Sequence, residues 1–271
     1  MKKTLAWTLV AVVLAAAAWL LSRRADLWEQ EQATLQPPPI PRQEEAAPRI
    51  RHPVEDIQLE SLPEPPPEPL PPLAESDPAI LGEAKQVLGE ESVETWWVNE
   101  QIVNRVVATV DSLTGKRLAP LMSPVRPVPG RFTVLGEGDA AAISPANAER
   151  YTPYVKMVEA IDVPTLLPLY VRYYPWFQQA YRALGYPHGY FNDRLIEVID
   201  QLLATPQPPD PIPVVQSEAV YKYADPGLES LSAGQKILLR LGHGQSEIVR
   251  AKLREIRDAI AGPSGPSAPA G

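Results

Sequence analysis

Apolar positions fall into three regimes along the chain. Residues 4–22, TLAWTLVAVVLAAAAWLLS, carry no charge at all. Residues 25–76 mix proline with acidic residues and hold few large apolar side chains. From residue 77 onward the apolar residues recur every three or four positions, the period of helices that bury one face. Several starts pair a hydroxyl or acid with proline: Asp77-Pro78, Ser144-Pro145, Thr152-Pro153 and Asp225-Pro226, with Asp162-Val163-Pro164 displaced by one. An oxygen there accepts the orphan amide protons of the first turn, and proline has no such proton to satisfy.

These signals predict a helix over 77–88 closed by Gly89. A continuous helix is expected from Ser92, carried by Val93, Trp96, Trp97, Val103, Val106, Val107, Val110 and Leu113 as far as Thr114-Gly115. Further helices are expected at 145–161 and 163–184. Another begins at Asn192 or Asp193, either serving as its cap. The last two are a Ser232-capped helix and a Ser246-capped helix over 247–262. Phe132–Leu135 and Ala141–Ser144 flank GEGD and read as a small hairpin, while PQPPDPIPVVQSEAVYKYA reads as a loop with one extended piece. The expected fold is mainly α: a single N-terminal transmembrane helix, a proline-rich disordered spacer, and a compact multi-helix domain with at most a small β-hairpin. The corresponding boundaries are 1–24, 25–76, 77–262 and a disordered tail at 263–271.

Nineteen helical residues span about 28 Å, close to the hydrocarbon thickness of a bilayer. Lys2 and Lys3 precede the run, Arg23 and Arg24 follow it, and Trp7 and Trp19 sit near its ends, where indoles favour the headgroup region. The reading is an uncleaved inner-membrane anchor with the short end inside and the domain in the periplasm; a cleaved signal peptide is the competing reading. The spacer holds 13 prolines and 11 acidic against three basic residues, so it cannot build a core of its own. As polyproline II its 52 residues reach at most about 160 Å.

Composition narrows the chemistry. The 271 residues include no cysteine, which excludes disulfides, thiolate metal sites and cysteine nucleophiles. A net charge of −8 argues against nucleic-acid binding, which needs a basic surface. Three histidines show no metal-ligand spacing, and neither a nucleotide loop nor a GxSxG elbow is present. No catalytic residue, metal ligand or cofactor is therefore assigned.

One segment stands out. Tyr170 to Phe191 holds nine of the 19 aromatic residues. Val163, Leu166, Leu167, Tyr170, Tyr174, Phe177, Tyr181 and Leu184 form a helical stripe that reads as core. Trp176 falls beside the polar face with Arg172, Gln179 and Arg182, able to stack on Arg172, and reads either as a flank of the core or as a surface aromatic that could bind a sugar. Downstream, YPHGYFNDR gathers Tyr186, His188, Tyr190, Asn192, Asp193 and Arg194 at a turn entering a helix, where loops commonly carry recognition. These six and Trp176 are the candidate binding residues. The bland account is a helix junction: Gly185 ends one helix, Gly189 turns, Asn192 or Asp193 caps the next, and Arg194 pairs with Asp193 or a nearby carboxylate.

At VVATVDSL, RPVPGRF, RYTPYV, LGYPHGYFNDRLIEVIDQLLATP and YADPGLESLSAGQKILLRLG, the chain resembles the domain of unknown function 3014 family of proteobacteria, over about 77–260. The resemblance implies a membrane-anchored envelope protein with a proline-rich spacer, and it brings no known activity. Two function classes follow. One is an envelope adaptor that binds another protein or a cell-wall component. The other is a periplasmic enzyme acting on cell-wall glycan through carboxylates that the sequence does not single out.

Overall fold

The computed structural model describes residues 49–59, 69–217 and 220–261. The expected anchor at 1–24, residues 25–48 and 60–68 of the expected spacer, and the tail beyond 261 lie outside the described residues. Among the described residues no helix is long and apolar enough to cross a membrane.

Helix α1 (Asp77–Leu88) forms where expected and stops at Gly89, whose φ of 86° suits glycine. Asp77 does not cap this helix. Its carboxylate reaches across the sequence to accept from the amides of Gln101 and Ile102 at 2.7 and 2.8 Å. That bond starts a new helix in the middle of the expected continuous one, which divides into α2 (Glu90–Trp96) and α3 (Ile102–Ser112). Trp97 is extended at the break, and Trp96 and Val98 hydrogen-bond through their backbones to Arg126 and Pro124. The proline-rich connection at 118–131, short of backbone donors, thus finds partners in the interrupted helix.

The hairpin around GEGD is present as β1 (Val134–Leu135) paired antiparallel with β2 (Ala142–Ile143). The expected helix over 145–161 is two pieces, α4 (Ala146–Glu149) and α5 (Thr152–Glu159). Helix α6 (Val163–Ala183) starts as expected, with the Asp162 carboxylate accepting from Thr165 N at 3.1 Å. Helix α7 (Phe191–Leu203) runs back beside it. The segment read as a loop contains a second antiparallel hairpin, β3 (Val214–Ser217) with β4 (Val220–Tyr223), and it docks on the first through Val214 N to Ala141 O and Ile143 N to Ile212 O. Two hairpins, not one at most, therefore flank the helices.

A short helix α8 (Pro226–Glu229) is capped by Asp225, and α9 (Ala233–Arg240) carries a full Ser232–Gln235 capping box. Gly234 lets α9 approach α3 closely: a Cβ there would lie 2.6 Å from Leu202 Cδ2 and 3.0 Å from the Leu113 carbonyl. The last helix, α10 (Gly242–Ile260), starts four residues before the expected Ser246 cap. Ser246 is buried inside it and accepts from Arg250 Nε. The first turn is held instead from outside, by His243 on the Pro208 carbonyl and Gln245 on Thr152. Arg250, 3% exposed, closes the end of α7 by donating to the carbonyls of Leu203 and Thr205.

The main core lies where α3, α6, α7 and the end of α10 meet. It includes Val103, Val107, Tyr174, Phe191, Ile199 and Ile260. Val54 and Ile57, from the expected spacer, are buried in the same core at 7% exposure each. The folded domain therefore starts well upstream of residue 77.

Candidate functional site

The junction of α6 and α7 carries the candidate residues, and the structure gives most of them partners within the chain. Residues 49–59 form a strap across this junction, and residues 69–76 pack beside α6. Proline-rich sequence next to buried aromatics is a familiar pairing in recognition. Here the ligand and the receptor belong to one chain.

Neither Asn192 nor Asp193 caps α7. The cap comes from α6: Gln178 Oε1 accepts from Phe191 N at 2.9 Å, and the Tyr174 hydroxyl accepts from Asn192 N at 3.2 Å. Gln178 also donates to the Gly189 carbonyl, which fixes the turn. Gly189 itself is required, because a Cβ would sit 2.7 Å from the Tyr181 ring.

Released from capping, the two side chains grip the strap. Asp193 accepts from the successive amides of Arg51 and His52 at 2.9 and 2.8 Å. Asn192, fully buried, donates through Nδ2 to the carbonyls of His52 and Ile260 and accepts the Tyr170 hydroxyl on Oδ1. The Tyr190 hydroxyl accepts from Val54 N at 2.8 Å, and His52 Nδ1 donates to the Ala261 carbonyl at 2.9 Å. One asparagine thus ties together α6, the strap and the end of α10.

Trp176 is not a surface aromatic. It is 3% exposed, stacks on Tyr173 at 5.0 Å, and donates its indole N–H to the Pro71 carbonyl at 2.9 Å. Arg172 lies over Tyr173 instead, 5.3 Å from its centroid. Arg194 turns away from Asp193. It meets Asp111 at the end of α3, with Nε to Oδ1 at 2.8 Å and Nη2 to the Asp111 carbonyl and Thr114, and its Nη1 reaches Glu197. Asp111 was not among the expected residues. Its place in VVATVDSL marks a helix end rather than a partner.

Tyr186 and His188 remain on the outside. Tyr186 is 40% exposed, stacks on Tyr181 at 4.6 Å and donates to Asp111 Oδ2 at 3.1 Å. His188 is exposed. The hydrogen bond to Asp111 raises the Tyr186 pKa, while burial raises those of Tyr170 and Tyr174 well above the ordinary phenol value. Burial pushes Tyr181 up to about 12. The phenols therefore stay protonated and serve as hydrogen-bonding struts. Among the described residues, no group of three His, Asp or Glu side chains is placed to hold a metal.

This is a mainly helical domain with two small hairpins, held to its own N-terminal flank by polar side chains at a helix junction. The chain belongs to the family described as protein of unknown function (DUF3014), whose profile matches residues 102–257. No curated protein and no solved structure matches it.

Proposed function

We propose that the chain is a single-pass, membrane-anchored binding module of the cell envelope, displayed in the periplasm and engaging another envelope protein or a cell-wall component. The observation that carries this reading is the uncharged run of residues 4–22 between Lys2-Lys3 and Arg23-Arg24, followed by an acidic, proline-rich tether. Asp193 at the α6–α7 junction and Asp111 at the end of α3 beside it are bonded to the chain itself. That favours binding over the glycan-hydrolysing alternative, in which two free carboxyls must face a substrate. Tyr186 and His188 are the parts of the candidate surface left to meet a partner, and tyrosine offers a broad apolar face and a hydroxyl with few rotors to freeze.

A periplasm-dependent alkaline phosphatase fused after residue 271 tests the topology. Active fusion together with an intact N-terminus at Met1 or Lys2 is expected. A mature terminus starting between residues 16 and 30, or an inactive fusion, refutes the anchored reading.

A further inference from the structure

Between α1, α3, α6 and α10 the domain holds an apolar cavity of about 280 Å³, partly open to solvent. Ala84, Val87, Val106, Leu166, Phe177 and Ile256 are among its walls, and Glu83 is the only charged residue that lines it. Two of the few polar groups in these walls already have partners. Glu83 accepts the Tyr173 hydroxyl at 3.0 Å, and the Tyr170 hydroxyl is turned to Asn192. Protein interiors are packed with few voids larger than a water molecule. An apolar cavity of about 150 Å³ already stays dry and accepts a benzene-sized guest. This space approaches the size of ligand pockets, which start at about 300 Å³.

The lining also selects the guest. A sugar, a nucleotide or a peptide backbone would lose its hydrogen bonds to water here against walls that are almost wholly apolar. A flexible hydrocarbon chain loses nothing polar and gains burial. We propose that this cavity receives an acyl chain of a membrane lipid. The source of that chain rests on the membrane-anchored reading above. With residues 49–59 seated on the domain, residues 23–48 separate it from the apolar run. Twenty-six residues reach at most about 80 Å as polyproline II. On the anchored reading, that length is the upper bound on the separation of the domain from the bilayer surface.

The test uses cells that make the full chain and are fed a photoreactive, diazirine-bearing palmitic acid, which they incorporate into their lipids. After irradiation, mass spectrometry locates the modified residues. Labelling is expected in two places, within 4–22 and on cavity walls from 83–106 and 163–177. Two cavity-filling variants, Val106→Phe and Ala84→Leu, are expected to lower wall labelling at least tenfold and leave labelling of 4–22 unchanged, each compared at a melting temperature within a few degrees of the parent. Label confined to 4–22 in the parent overturns the cavity proposal while the anchor stands. Label on the walls but not on 4–22 supports the cavity and removes the anchor. Wall labelling that persists in a folded, filled variant overturns the proposal, because the label is then reaching the surface and not the cavity.

Discussion

Replacing Asp193 with alanine removes the acceptor for two successive backbone amides, those of Arg51 and His52. Hydrogen bonds to a charged acceptor contribute about 1.5–3 kcal/mol when shielded. Arg51 is exposed and His52 only half-buried, so about 1 kcal/mol for each is appropriate, or about 2 kcal/mol in all. The freed amides can turn to water, so the loss falls on the seating of the strap rather than on the fold. A local change of 2 kcal/mol makes the undocked strap roughly 30-fold more populated. Hydrogen exchange followed by mass spectrometry reads this directly, because exchange reports local opening. In the Asp193→Ala variant, peptides covering 49–59 should exchange about 30-fold faster, and peptides from α3 should change less than twofold. Asp193→Asn keeps one oxygen acceptor and should give an intermediate acceleration. Unchanged exchange at 49–59 would refute the clamp. Uniform acceleration over the whole domain would show instead that Asp193 supports the fold itself.

Two further outcomes follow from the same junction. Asn192→Ala leaves the Tyr170 hydroxyl and the His52 and Ile260 carbonyls without their partner, which should cost about 3 kcal/mol and lower the thermal midpoint by roughly 10 °C, measured by circular dichroism. Alkaline pH should also destabilise the domain: the folded pKa values of Tyr170, Tyr174 and Tyr181 lie above the unfolded value near 10, so the unfolded chain releases protons first, and stability present below pH 10 falls as pH rises through the folded values, Tyr181 reaching about 12; a thermal midpoint by circular dichroism that does not fall between pH 9 and pH 12 would contradict this.

The parts of this fold that local sequence controls were legible. Asp162 and Asp225 cap their helices, Ser232 builds its capping box, and the aromatic stripe of α6 faces the core. The misreadings share a physical origin. Asp77 has the spacing of a cap for its own helix, yet it serves α3, because a carboxylate caps whichever free amides the tertiary structure brings to it. Gly242 and Gly244 disfavour a helix on propensity, but bonds from Pro208 and Thr152 hold that turn in one. The strap was the hardest to see. Val54 and Ile57 are isolated apolar residues in a proline-rich, acidic stretch, and nothing near them in sequence indicates the surface they cover. YPHGYFNDR stands out in the sequence because it is dense in bonding groups, and its two readings, a binding wall and a helix junction, draw on the same chemistry. Asn192 is the clearest case: its amide would suit either purpose, and complete burial decides between them.

The strap also sets an order on the making of this protein. Its bonds join residues separated by 136 to 142 positions, and the His52 bond to Ala261 spans 209. Closing loops of that length is entropically slow, so local helices form before the strap can find its seat. On a chain still being synthesised, His52 has no carbonyl to meet and Asn192 only part of its set until residues 260 and 261 have emerged. A chain cut short before α10 ends would leave the segment around Val54 and Ile57 poorly held and open to proteases. Among the described residues, the earliest to be made is thus the last to be secured, and its attachment requires the chain through α10 to have been made as far as residue 261.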